Sequence, residues 1–363
     1  MKISLKGFIT HKEAEKYSDC ADNYSYCTTN HRFAISDGVT KSFFPTIWSR
    51  ILVDKFVALQ GATDLSIEEC QLEWLQQVSK IVATIPEENF WVHNAFHLRK
   101  SGYATLITLR FDKKMWYAKA LGDSFLFFVP KGKTNFKDWI YLSSRYISTK
   151  PEPIVFDSYP DYYSSREEKS GIEKEINGKL EAGKFYLMTD ALSEWLINEK
   201  ENAIKEIETW TNQDVFEQRI TELRNKGLLN NDDSSILIID VENDGKHELT
   251  YKSVSEQKID NLIKYETEKI EIEEDMNTNN EEISMATNKK IDRLIFVNIV
   301  LIIIFLINIF GLIYVISENN KNLKQIPAKQ ETVDMQGQKD YTPKSKDLIP
   351  EKKIQEIDSL KSE

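Results

Sequence analysis

From residue 294 to residue 316 the chain runs 23 residues without a charge, LIFVNIVLIIIFLINIFGLIYVI. At about 1.5 Å of rise per residue, a helix of that length reaches across a hydrocarbon core of roughly 30 Å. A buried core helix would be shorter and polar along one face, whereas this run is apolar on all sides. The sequence therefore predicts one transmembrane helix at 294–316. Asn298 and Asn308 are its only strongly polar interruptions, and they are candidates for hydrogen bonding to a partner helix. The opening MKISLKGFITHK lacks the apolar core of a signal peptide. Lys289, Lys290 and Arg293 crowd one flank of the run, while Lys321 and Lys324 lie further out on the other. Both features predict a single-pass membrane protein with its N-terminal portion in the cytoplasm. Reduced Cys20, Cys27 and Cys70 suit that compartment.

Charge divides the rest. Of the net −11, residues 256–288 supply −7, with ten acidic side chains and three Lys. Without a stable apolar stripe, 256–293 reads as an acidic linker or charged helix leading to the membrane. Residues 317–363 balance nine Lys against nine acidic groups and read as a polar, disordered tail. A folded domain is left to residues 1–255. The acidic balance argues against a nucleic-acid partner, which would call for a basic face.

Within 1–255, segments 31–36, 103–111, 115–129, 184–189 and 235–241 are rich in β-branched and aromatic residues and predict strands. Segments 46–59, 66–85 and 202–226 read as helices, the second opening with Ser66 as a cap. The connection at 112–114 is too short for a parallel crossover, so the sheets are expected to be antiparallel with helices packed on them, an α+β fold. Residues 145–180 read as an irregular insertion.

The chemically informative feature is where the Asp residues fall. Asp22 precedes Tyr24, Asp37-Gly38 ends FAIS, and Asp123 follows Leu121-Gly122. Asp190 ends FYLMT, and Asp232-Asp233 opens SSILIID. One Asp at a strand end is ordinarily a turn or a cap. Five such sites in one domain could converge on hard divalent cations, which take oxygen ligands. Without a cation the carboxylates would repel one another. Gly38, lacking a side chain, lets its carbonyl come close to a metal.

These strings, CADNYSY, FAISDGV, SGYATLITLRF with YAKALGDSFLFF, FYLMTDALSEWL and NNDDSSILII, resemble in order the motifs of the metal-dependent serine/threonine protein phosphatases of type 2C, over most of residues 10–241. The resemblance implies a four-layer α-β-β-α sandwich of two antiparallel sheets flanked by helices. It implies two Mn²⁺ or Mg²⁺ ions with room for a third, and a phosphorylated protein as substrate. Asp37 would lie between two metals with the Gly38 carbonyl on the second. Asp190 and Asp232 would complete the first metal site, and Asp22 would hold water. Asp123 and Glu194 match positions that hold a third, weaker metal. A water acidified between the metals would attack phosphorus in line.

The sequence also departs from the family. Ala21 stands where the early acidic pair begins with Glu, and Asp19, two residues away, is out of register. Tyr17 stands where a phosphate-binding Arg is usual, with Lys16 beside it as a substitute. Ala191 replaces a Gly, Asp233 an Asn, and Phe125 an Arg, and Val39-Thr40-Lys41 replaces a glycine pair. These changes leave room for a rival reading: a weak or inactive phosphatase-like module, tethered to the membrane for binding or signalling. Lys131-Gly132-Lys133-Thr134 mimics the end of a phosphate loop but has Phe127 in place of its first Gly, so it reads as a hairpin turn. His93 and His97 have zinc-pair spacing but lack the Glu of a metalloprotease, and read as structural.

Overall fold

The computed structural model describes residues 1–147, 161–246, 248–256 and 259–323, and the chain divides into two compact units, Met1–Thr278 and Asn279–Glu363. In the first unit two sheets lie face to face. One has the order β13 (Thr250–Glu256), β1 (Lys2–Thr10), β12 (Ser234–Glu242), β11 (Gly183–Met188), β7 (Phe125–Pro130), β8 (Ile140–Leu142). The other runs β10 (Lys174–Lys179), β6 (Met115–Leu121), β5 (Leu106–Asp112), β3 (Arg32–Ser36), β2 (Asn23–Cys27). A short pair, β4 (Tyr103–Ala104) with β9 (Tyr163–Ser164), stands apart.

Alternation builds the layers, because successive side chains on a strand point to opposite faces. On β1, Ile3 and Leu5 enter the core between the sheets, whereas Phe8 faces the helices outside. Phe111 of one sheet packs on Phe185 of the other with ring centroids 5.2 Å apart. Helices α1 (Pro45–Ala58), α2 (Ile67–Thr84) and α3 (Phe90–His97) cover the five-stranded sheet around Trp48 and Trp74. Helices α4 (Asp190–Glu199), α5 (Glu201–Ile207) and α6 (Gln213–Asn225) cover the other around Trp195 and Trp210. The arrangement is the α-β-β-α sandwich expected from the sequence. Ser66 caps α2, its hydroxyl accepting the Glu69 N–H at 3.3 Å.

Several details differ from the sequence reading. Segment 103–111 breaks at Thr105 and segment 115–129 at residues 122–124, and both breaks carry site residues. The helix expected over 202–226 is two, because the Asn212 side chain caps a new start by accepting from Val215 N–H at 2.9 Å. Not every strand pair is antiparallel: β13 runs parallel to β1 and lies on the far side of β1 from β12. The expected insertion at 145–180 supplies β9 and the edge strand β10, and its residues 148–160 lie outside the described ones.

Helix α7 (Ile259–Leu323) begins in the first unit, where Ile259, Leu262 and Ile263 pack on Ile9, Tyr17 and Cys20. Its segment Thr287–Glu318 is long and apolar enough to cross a membrane. The helix partner expected at Asn298 and Asn308 finds no support. The Asn308 amide donates at 2.8 Å to the Ile304 carbonyl of its own helix. From residue 324 the expected tail lies outside the described residues.

Candidate active site

The β2–β3 register pairs Asn23 with Ser36, which sets Asp22 and Asp37 beside each other at one end of the hairpin. Asp22 is fully buried. Its Oδ2 accepts from Thr189 Oγ1 at 2.8 Å, and among the described residues its Oδ1 has no hydrogen-bond partner. Thr189 follows β11 directly and also accepts the Ser235 N–H at 3.0 Å, so one hydroxyl ties the end of β11 to β12 and Asp22. Asp190 follows directly as the first residue of α4.

Thr105, in the gap between β4 and β5, clamps the backbone of Asp37 from both sides. Its N–H donates to the Asp37 carbonyl at 2.8 Å, and its Oγ1 accepts the Asp37 N–H at 3.1 Å. The same Oγ1 lies 2.8 Å from Ser124 Oγ, which brings the Gly122-Asp123-Ser124 turn alongside. Gly38 has no room for a side chain, since a Cβ would sit 2.8 Å from the Ala21 carbonyl oxygen.

Asp233 anchors the loop that precedes Asp22. Its Oδ1 accepts the Lys12 N–H at 3.0 Å and its Oδ2 the Ala21 N–H at 2.8 Å. The Lys12 ammonium then reaches Asp232 Oδ1 at 2.9 Å and Thr40 Oγ1 at 2.7 Å. From α6, Arg224 holds the two loops together by donating to the His11 carbonyl at 3.0 Å and to the Asp232 carbonyl.

The electrostatics are those of acids held together. Burial, then the charges of Asp190, Asp22, Asp123 and Asp232, pushes Asp37 well above the usual carboxylate range. Burial, then Asp233 and Asp190, does the same to Asp22. Asp190 is pushed up to about 8 by burial and by Asp123 and Asp232, and Asp123 to about 6, chiefly by burial. For Lys12 burial works against the charge, but the hydrogen bond and charge of Asp232 and the charge of Asp233 outweigh it and raise its pKa.

These groups fit a cation in chemistry: hard oxygen donors, a backbone carbonyl kept approachable by Gly38, and unpartnered buried oxygens on Asp22 and Asp123. Among the described residues, however, no three His, Cys, Asp or Glu side chains are already gathered tightly enough to hold a metal ion. Metal-free protein should therefore show an inverted pH dependence. Carboxyls with raised pKa keep protons in the folded state that the unfolded chain releases near pH 4. Their stabilisation is full below that pH and is lost as the pH rises through about 8. Urea midpoints in chelator should fall from pH 5.5 to pH 8, and added Mn²⁺ should restore the pH 8 value. A midpoint that rises across this range would refute the mutual repulsion.

The other sequence candidates are placed as follows. Glu194 is half-buried one turn into α4 and accepts from Asn230 Nδ2 at 2.7 Å. Lys16 is exposed, and its N–H donates to Asp19 Oδ2 at 3.3 Å, so Asp19 serves its own turn. Lys12, not Lys16, is the lysine that meets the carboxylates. Tyr17 is buried and hydrogen-bonds Glu217 and the Ile9 carbonyl, away from the Asp residues. A His93 ring nitrogen lies 3.1 Å from the Ile85 carbonyl, and Lys131-Gly132 forms the turn leaving β7. Lys12, Thr105, Thr189 and Arg224 escaped the sequence reading. Thr105 and Thr189 lay inside the strings SGYATLITLRF and FYLMTDALSEWL, while Lys12 and Arg224 lay outside every motif.

No protein-family model matches the chain, and no curated protein does. Among solved structures it is similar to the serine/threonine phosphatase Stp1 from Staphylococcus aureus, at 13% identity over 66% of this chain and 95% of that one, with a TM-score of 0.40. It is similar to the Mycobacterium tuberculosis serine/threonine phosphatase PstP/Ppp at 12% identity, over 66% of this chain and 99% of that one, with a TM-score of 0.41. The PstP catalytic domain in complex with two manganese ions matches at 14% identity over the same shares, with a TM-score of 0.38. At such identities and TM-scores, what this chain does has to be argued from its own residues.

Proposed function

We propose that residues 1–255 form a metal-dependent phosphatase acting on phosphoserine and phosphothreonine in proteins, anchored to the membrane through 294–316 with the catalytic side cytoplasmic. What supports this reading is the set of hydrogen bonds that ties the segments of Asp22, Asp37, Asp123 and Asp233 to one another through Thr189, Thr105, Ser124 and Ala21, with burial and neighbouring carboxylates pushing Asp22, Asp37 and Asp190 up. A protein gains no stability from such repulsion, so the cluster points to a bound cation.

Asp37, the Gly38 carbonyl, Asp190 and Asp232 are the groups that would hold two Mn²⁺ or Mg²⁺ ions, with Asp123 and Glu194 available to a third. Such ions supply Lewis acidity and make water nucleophilic at neutral pH. Asp22, buried and fixed by Thr189, orients the attacking water through its free Oδ1. The Lys12 ammonium, 2.9 Å from Asp232 Oδ1, is the cation that would hold the substrate's charge. No phosphoenzyme is required, and no activated Cys or Ser is assigned.

The test is phosphate release from a phosphothreonine peptide by the full chain in detergent. Turnover is expected with Mn²⁺, should stop with chelator and should return when Mn²⁺ is resupplied. A rival reading, a phosphatase-like binding module, draws on Ala21 in place of a carboxylate and on the Lys12 ammonium already seated on Asp232. Mn²⁺-independent peptide binding without turnover would favour it.

A further inference from the structure

The loop between β1 and β2 carries Lys12 and ends in Ala21 and Asp22, and the first turns of α7 hold it from outside. The Tyr17 N–H donates to Glu266 Oε2 at 3.0 Å, and the other carboxylate oxygen of Glu266 lies 3.9 Å from His11 Nε2. His11 and Tyr17 meet edge to face with ring centroids 4.7 Å apart, closing the segment between them into one unit. Below that contact Ile259 and Leu262 are buried against Ile9, Tyr17 and Cys20. Beside it Arg50 of α1 pairs with Asp260 at 3.0 Å. On the inner side the loop is fastened by Asp233, which accepts the Lys12 and Ala21 N–H groups. The loop is thus fastened by Asp233 and Asn231 within the site, by Arg224 of α6 at the His11 carbonyl, and by Glu266 of α7 at the Tyr17 N–H.

We infer that Glu266 is a positioning residue for the candidate active site: by accepting the Tyr17 N–H, with the Tyr17 ring against His11, it steadies the outer side of the loop that presents Lys12 to the substrate's phosphoryl group. The inference rests on the phosphatase reading for its kinetic consequence and on geometry alone for its effect on the loop. Glu266 touches neither the carboxylates nor the place where phosphorus would sit. Its effect passes through the backbone of residues 11–17. A group acting through Lys12 alters substrate capture more than the chemical step, because Lys12 meets the phosphoryl oxygens both before and during attack.

The experiment uses the full chain in detergent with Glu266→Ala, Glu266→Gln, Lys12→Met and the Lys12→Met/Glu266→Ala pair. Glu268→Gln is the control, since Glu268 pairs with Lys264 on its own helix. Glu266 keeps 26% of its side-chain exposure, so removing it opens no buried cavity. Glu266→Ala should raise KM for a phosphothreonine peptide about five- to tenfold with kcat within twofold. Glu266→Gln, which keeps an acceptor for the Tyr17 N–H, should recover part of that loss. In the Lys12→Met background Glu266→Ala should add less than a further twofold, the non-additivity of residues acting in series. Independently of turnover, hydrogen exchange of the peptide spanning residues 10–22 should quicken about tenfold in Glu266→Ala, with the β11 and β12 peptides unchanged. Unchanged exchange at 10–22, or an equal KM rise with and without Lys12, overturns the inference. A wild-type protein with no Mn²⁺-dependent turnover sinks the phosphatase reading alone, and the exchange result still decides whether Glu266 orders the loop.

Discussion

Asp37→Asn should abolish turnover, lowering kcat by about 10³-fold or more with Mn²⁺ saturating, while the domain stays folded. The substitution changes one oxygen to nitrogen, and the position is held by its backbone through Thr105, so the side chain has no part in keeping β3 in register. What it removes is the carboxylate that four other Asp residues surround. In chelator the variant should melt no lower than the parent, because one partner in a repulsive cluster has become neutral. These two readouts separate a functional carboxylate from a structural one. Loss of activity with a fall in melting temperature would mean that Asp37 supports the fold, and unchanged turnover would remove it from the chemistry.

Trp210→Ala should be the most destabilising single change on the helical side. Trp210 is fully buried at the end of the turn between α5 and α6, 5.9 Å from the stacked ring of Trp195 and 5.2 Å from the edge-on ring of Phe216. Its backbone carbonyl also accepts from Lys6 Nζ of β1 at 3.2 Å. Trimming a large buried aromatic to alanine loses its transfer free energy and leaves a cavity, about 3–5 kcal/mol together. For a domain of this size that corresponds to a melting-temperature drop of roughly 6–20 °C. Trp91 of α3, 64% exposed, is the matched control and should cost about 0.5 kcal/mol or less as alanine. A similar drop for both would mean that the α4–α6 layer does not hold the core described for it.

The acidic half of the site was legible because each Asp closes or opens a segment whose β-pattern can be read locally. Its basic half was not. Lys12 meets Asp232 and Asp233 across more than 200 residues of sequence, and Arg224 meets the His11 carbonyl across as many. No local pattern encodes such pairs. Lys16 was singled out for standing beside Tyr17, at the place of the usual phosphate-binding Arg, but the turn at 16–19 leaves it exposed.

The fold divides the same way. Strands with uninterrupted β-branched or aromatic residues were recognised. β1 was not, because Lys2, Lys6 and Gly7 dilute its pattern; Gly7 is there because a Cβ would lie 2.7 Å from the Tyr24 ring. α4 begins at Asp190 itself, directly behind the β-pattern of FYLMT, so no linker marks its start. Glu266 lay in a stretch read by its charge, where Ile259, Leu262 and Ile263 form an apolar face too short to register as a stripe.

The position of β1 also bears on how the chain comes to be folded. It precedes every other strand of the domain, yet its two ladder partners, β12 and β13, are encoded some 230 to 250 residues later. Until then neither of its edges is paired, and its apolar alternation is open to other nascent chains. Pairings of such long sequence separation close slowly, because the loop entropy precedes the contacts that reward it. The six-stranded sheet can therefore be completed only after almost the whole domain has been synthesised, shortly before the apolar segment at 294–316 itself emerges. Under the membrane anchoring proposed above, sheet closure and capture of that segment would compete in time.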